Sequence, residues 1–269
     1  MKIKCVLYPY LIWMGIFVIV PLALVIVFAF TSSTGNFTLE NLIDVGRYST
    51  VFLSSVILGI ISTVICLILG YPMAYFISGI HIKHQNVIIM LLMIPMWTSF
   101  LLRTYAWMTI LEYNGLLNKL FAFMGMPKIN MINTPGAIVL GMVYNFLPYM
   151  ILPIYTVLSK IDNKVVEAAQ DLGANQFKVF TKVVFPMSIP GVVSGFTMVF
   201  VPSVSTFIIS KMLGGGSIFV IGDLIEMQFL GNTYNPYMGS AISLVLMVII
   251  MITMGIMNVL DTDNENVVV

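Results

Sequence analysis

Val56-Ile57-Leu58-Gly59-Ile60-Ile61-Ser62-Thr63-Val64-Ile65-Cys66-Leu67-Ile68-Leu69 is apolar on every face. No period of 3.6 or 2 separates a wet side from a dry one, so neither a surface helix nor a half-buried strand can use this run in water. Leu244-Val245-Leu246-Met247-Val248-Ile249-Ile250-Met251-Ile252 repeats the pattern near the other end of the chain. A membrane barrel would show alternating segments of roughly 10 residues, and these runs do not alternate. A helix satisfies its own backbone in lipid, which makes this an all-α integral membrane protein.

Composition carries the same reading outward. Of 269 residues, 59% are hydrophobic and 9% charged, against about 25% charged in an ordinary soluble domain. Twelve Lys+Arg against eleven Asp+Glu leave a net charge of +1. That excludes the basic surplus which phosphate contacts require, so no nucleic-acid partner is expected. Cys5 and Cys66 lie in or beside apolar runs without CxxC spacing, and no metal site or disulfide framework is expected from them. The twenty-one methionines are dispersed through apolar runs and read as adaptable packing rather than a metal path.

Crossing a bilayer core of about 30 Å takes roughly 20 apolar residues as helix. Six charge-poor intervals meet that length: Lys4 to Glu40, Arg47 to His81, Val87 to Leu111 with Arg103 inside it, Lys128 to Lys160, Lys182 to Lys211, and Glu226 to Asp261. The first exceeds a secretory signal's apolar region and reads as a retained helix. With the N-terminus inside, the inner segments hold Lys2, Lys4, Lys83, Lys160, Lys164, Lys178 and Lys182, against Arg47, Lys119, Lys128 and Lys211 outside. The excess of positive charge places both termini in the cytoplasm.

Residues 159–185 differ from the other loops in being polar and helical. Asp162 is a plausible N-cap, Val165, Val166, Ala169 and Leu172 form one stripe, and Gly173 can close the helix. A second short helix over 175–184 is expected to lead to Pro186 at the start of the fifth span. Two short helices at an angle make an object sized for a groove on another protein.

Glu167-Ala168-Ala169, three residues, Gly173, nine residues, then Val183-Val184-Phe185-Pro186 resembles the EAA loop of ABC-importer permeases, EAA-x3-G-x9-I-x-L-P. Val183 and Phe185 replace the usual Ile and Leu. Gly70–Phe76, Ile94–Trp97, Leu101–Trp107, Asp171–Ala174, Leu213–Gly215, Ile221–Gly222 and Gln228–Leu230 resemble the spermidine/putrescine branch of that family. The resemblance implies a type I importer permease (MetI-like) fold in the bacterial plasma membrane. It implies one permease domain over residues 1–269, with the EAA loop at 159–185 coupling it to an ATPase through Glu167, Ala168, Ala169, Asp171, Gly173 and Pro186. The implied partners are a second homologous permease, two copies of the ATPase and an extracytoplasmic polyamine-binding protein. Import of another small cationic or polar solute, such as an amino acid, is the alternative.

The chain itself has no phosphate loop: Gly214-Gly215-Gly216-Ser217 lacks the lysine. No Ser/His/Asp or Cys/His constellation exists either, and His81 and His84 read as solvated residues of one short turn. No cofactor is expected, and the subunit is not an enzyme.

A polyamine path should offer carboxylates and aromatic faces in weak, multiple contacts. Candidates are Trp97, Arg103, Trp107, Glu112, Asp223 and Glu226. Arg103 either pairs inside the bundle or snorkels to headgroups, and its depth favours a protein acceptor inside the bundle. A continuous third helix would put Trp97 and Trp107 80° apart around its axis, at about 100° per residue, bordering one face. Asp223 and Glu226 share a face if 218–230 is helical, there receiving cargo or meeting the binding protein. Pro148 and Pro202 are expected to interrupt the fourth and fifth spans.

Overall fold

The computed structural model describes residues 3–32, 34–231 and 234–265, which are overwhelmingly helical. The first span is α1 (Ile3–Met14) and α2 (Val20–Ala29), joined by a π-helical turn at Gly15–Ile19. A short α3 (Glu40–Val45) leads into the second span, α4 (Ser49–Ser78). The third is split into α5 (Ile82–Trp97) and α6 (Phe100–Leu111), with α7 (Leu116–Phe123) behind it. α8 (Pro135–Leu158) is the fourth span. The polar loop follows as α9 (Asn163–Asp171) and α10 (Gln176–Val179), and the fifth span is α11 (Phe185–Ser205). Short α12 (Ile208–Leu213) and α13 (Ile221–Leu230) precede the sixth, α14 (Pro236–Glu265). Five stretches are long and apolar enough to cross a membrane, and the bent α5–α6 region makes a sixth.

α4, α8 and α11 pack on one another to form the centre. Cys66, Met142, Met150, Ile151 and Ile154 are fully buried there. A second apolar cluster joins α2 and α14 to α13 and the neighbouring ends of α4 and α11, around Phe200, Val204, Ile221, Ala241 and Ile242. Lipid offers no hydrophobic gain between helices, so close approach of small residues must hold them together. Gly191 and Gly195 on α11 supply it. A Cβ on Gly191 would lie 3.0 Å from the Ile154 Cα, and one on Gly195 would lie 2.8 Å from the Met150 Sδ. Gly191→Val should therefore lower the melting temperature of the purified protein in detergent, because overpacking costs about 1–3 kcal/mol and the backbone it meets cannot step aside.

Two π-helical turns have one cause. Val20 donates to Gly15 O just before Pro21, and Phe185 donates to Phe180 O just before Pro186. A proline ring would strike the carbonyl four residues back; widening the turn moves that carbonyl off and lets the helix continue. The second helix of the polar loop is thus no separate body. Gln176–Ser205 forms one 30-residue stretch, and Pro186 continues it where a fresh start was expected. Pro148 and Pro153 likewise sit within α8 without ending it, and α11 runs three residues past Pro202.

The break comes elsewhere. At Thr98–Ser99 the chain turns by 85° between Ile82–Trp97 and Phe100–Phe123. The Thr98 hydroxyl and amide both return to Pro95 O, at 2.7 and 3.2 Å, so the freed carbonyl is satisfied where the helix stops. This overturns the expectation of a continuous third helix with Trp97 and Trp107 on a common face. Trp97 is 73% exposed at the end of α5, whereas Trp107 packs on the core with Tyr144 at 5.4 Å.

Candidate functional site

Two ends of the bundle hold the residues singled out in the sequence. At the first, Asp162 caps α9 by accepting from the Lys164 amide at 3.0 Å. Gly173 then takes φ +81°, a left-handed conformation that glycine adopts without strain. Gly173 N donates to Gln170 O at 2.8 Å and Ala174 N to Ala169 O at 3.1 Å, the paired closure that reverses the chain. Asn175 at once caps the next helix by accepting from the Lys178 amide at 2.9 Å. Sequence thus dictates a helix, a reversal and a second helix within about twenty residues.

The stripe expected on α9 divides in two. Val166 and Ala169 turn inward and pack on the core with Ala174. Leu172 is 89% exposed and Phe177, across the reversal, 73% exposed, with Val165 also open. Glu167, Ala168, Asp171 and Gly173 are all exposed, and among the described residues no ion pair involves Glu167 or Asp171. The segment therefore presents two large apolar side chains flanked by carboxylates, the composition of an interface rather than of a solvated loop.

Behind this surface lies a chain of aromatic contacts that the sequence did not reveal. Phe180 meets Tyr75 at 5.4 Å and Tyr71 at 5.8 Å, both edge-on, and Tyr71 also meets Phe185 at 5.6 Å. The Tyr71 hydroxyl lies 2.8 Å from the Ser188 hydroxyl. A cleft of about 680 Å³ separates the end of α4 (Pro72, Tyr75, Phe76) from Val166, Gln170 and Gln176. Gln85 ties the neighbouring turn to the same region: its amide nitrogen donates to Ser78 O and Ile80 O, and it accepts from Tyr155 at 2.8 Å. Rings and hydrogen bonds thus join the turn after α10 to α4 and α11, and α5 to α4 and α8. The one available signal was Gly70-Tyr71-Pro72-Met73-Ala74-Tyr75-Phe76, where the tyrosines fall four apart.

At the opposite end the carboxylates are less free than their sequence suggests. Asp223 is buried; it accepts from Val220 N at 2.9 Å and from the Ser210 hydroxyl at 3.0 Å, capping α13. Burial raises its pKa above the usual carboxylate value, while those two hydrogen bonds pull the other way. Its carboxylate is thus engaged as a helix cap, and α13 begins at Ile221, not at 218. Glu226 is ion-paired with Lys211 at 2.9 Å. Glu112 is exposed beside buried Asn118, which pins the loop by bonds to the Glu112 and Ile129 carbonyls and from the Ile129 amide. Arg103 finds no carboxylate among the described residues. Its guanidinium sits 5.9 Å from the Phe100 ring and its buried Nε lacks a partner, so the expected protein acceptor is replaced by an aromatic face.

Comparison with known proteins agrees with this geometry. Residues 3–265 match the family described as binding-protein-dependent transport system inner membrane component. The chain is 37% identical over 247 residues to the spermidine/putrescine transport system permease protein PotB of Haemophilus influenzae, covering 88% of this chain and 86% of that one. It is 34% identical over 256 residues to PotB of Escherichia coli, covering 91% of each. Among solved structures, a bacterial ABC transporter involved in the import of the acidic polysaccharide alginate superposes with a TM-score of 0.82 at 14% identity, covering 97% of this chain and 95% of that one. A helical bundle with an exposed EAA segment, matched to one family from residue 3 to residue 265, belongs to the inner-membrane permease components of binding-protein-dependent transport systems.

Proposed function

We propose that this chain is one of two homologous permease subunits of an ATP-driven polyamine importer, residues 1–269 acting as one permease domain. The identity of 34–37% to permeases named for spermidine and putrescine, sustained over most of both chains, carries the reading of the cargo. Family membership gives the chain a binding protein and an ATPase as partners. The full assembly has two permeases, two ATPase copies and a polyamine-binding protein on the outer face.

In this reading the 159–185 segment docks on the ATPase. Leu172 and Phe177 enter its cleft, while Glu167 and Asp171 meet polar groups at the rim. Ala168 and Ala169 keep the α9 faces narrow, Gly173 sets the angle, and Pro186 joins the coupling helix to the fifth span. Closure of the ATPase pushes this segment, and the aromatic contacts around Tyr71 pass the push to the pathway. The loop end faces the cytoplasm with both termini, supported by Lys83, Lys160, Lys164, Lys178 and Lys182 at that end. Trp97, Trp107, Glu112 and Glu226 remain the pathway candidates, with Arg103 setting a positive boundary.

Copurification of the assembly, followed by ATPase assays with binding protein loaded with spermidine, putrescine or amino acids, tests the cargo. Stimulation confined to the polyamines is expected. Stimulation by an amino acid alone would replace the polyamine reading with the alternative.

A further inference from the structure

The ion pair between Lys211 and Glu226 joins α12 to α13, but its surroundings differ from those of an ordinary surface pair. The Lys211 side chain is 60% exposed and Glu226 20% exposed. Glu226 lines a groove of about 330 Å³ whose other walls include Phe207, Phe229, Ile225 and Leu246. One carboxylate in a mostly apolar groove that also holds two phenylalanine rings is the chemistry that selects an ammonium group, because a carboxylate supplies charge and aromatic rings supply cation–π attraction. A primary ammonium already occupies that carboxylate: Lys211 Nζ lies 2.9 Å from Glu226 Oε1.

We infer that the Glu226 groove is a subsite for one terminal ammonium of the cargo, and that Lys211 is a tethered competitor which the cargo displaces. The inference rests on the polyamine reading above and names the place where one cargo amine is held. Lysine's side chain ends in a primary ammonium on a short methylene chain, as a polyamine does. It satisfies Glu226 when the path is empty, so no bare carboxylate is left half-buried. It also keeps the site weak: an arriving ammonium gains only the difference between its own contacts and those of Lys211. Weak holding is what transport requires, since a tight site would trap a multiply charged cargo. Lys211 can swing away at little cost because 60% of its side chain is left uncovered by the rest of the chain.

The reading separates sharply from a purely structural role in its signs. If the pair only fastens α12 to α13, removing either partner acts in one direction. If Lys211 competes with cargo, removing it strengthens cargo binding and removing Glu226 weakens it. Equilibrium binding of labelled spermidine to the assembled, detergent-purified importer, without ATP or binding protein, reads this difference. Lys211→Met should tighten binding by about two- to fivefold, the factor an exposed ion pair represents. Glu226→Gln should weaken it by about fivefold or more, as loss of a charged partner predicts. Lys211→Arg, which restores a cation, should return binding toward the wild-type value. Thermal melts of the same preparations should shift alike for Lys211→Met and Glu226→Gln, which shows that fold stability does not produce the opposite signs. Equal affinities for all variants, or shifts of one sign in both single variants, would overturn the subsite while leaving polyamine uptake by the wild type intact. A wild type that imports no polyamine even with its binding protein would overturn the cargo reading and the subsite together.

Discussion

Replacing Gly173 by valine should abolish ATP-driven uptake while the membrane-spanning helices remain folded. A Cβ at this position would meet nothing within 4 Å, so crowding plays no part and the whole effect lies in the backbone. At φ +81° an L-residue is strained by about 1–2 kcal/mol, and a β-branched one by more. The loop has few buried contacts to oppose that strain, since Leu172, Gly173 and Phe177 are all exposed. It will relax by opening the reversal, which changes how Leu172 and Phe177 are presented relative to one another. Asparagine tolerates the left-handed region and should be nearly harmless, alanine intermediate and valine worst. Uptake should fall in that order, by about tenfold for each 1.4 kcal/mol of strain and down to background for valine. Uptake by the valine variant at the wild-type rate would remove Gly173 from the coupling element.

Leu172→Asp combined with Phe177→Asp should separate the permease from its ATPase. Both side chains project from one reversal, 89% and 73% exposed, at the polar end of the bundle. Well-packed anchors of this kind dominate interfaces, costing about 2 kcal/mol or more each when truncated. Burying a charge in an apolar cleft adds to the loss. ATPase copurifying with the permease should drop by about 30-fold or more, the factor equivalent to one such anchor. The partner permease should still copurify, because Leu172 lies outside the spanning stretches and Phe177 sits in the exposed first turn of the Gln176–Ser205 stretch. Undiminished ATPase recovery would place the docking surface elsewhere.

The six apolar segments and the EAA loop were legible because each rests on a local rule. Charge-free length marks a span, while Asp162, Gly173 and Asn175 act through their own backbone neighbours. What escaped depends on where a freed backbone group finds a partner. Pro148 and Pro202 looked like breaks, yet the helix passes through both; Pro95 was not singled out, yet Thr98 gives its carbonyl two donors and the chain turns by 85°. That turn undid the angular argument pairing Trp97 with Trp107. Asp223 and Glu226 were correctly placed on one helix, but spacing cannot tell a buried cap from a groove carboxylate. Ser210 and Lys211, more than ten residues away, decide that difference.

Proteoliposomes carrying the assembled importer, loaded with ATP and bathed in labelled spermidine with its binding protein, give the most direct test of a permease driven through its EAA segment. Wild-type vesicles should accumulate label only when ATP is inside, and vesicles made with Leu172→Asp and Phe177→Asp should accumulate none above background. Accumulation without ATP, or equal accumulation by the double variant, would contradict that coupling.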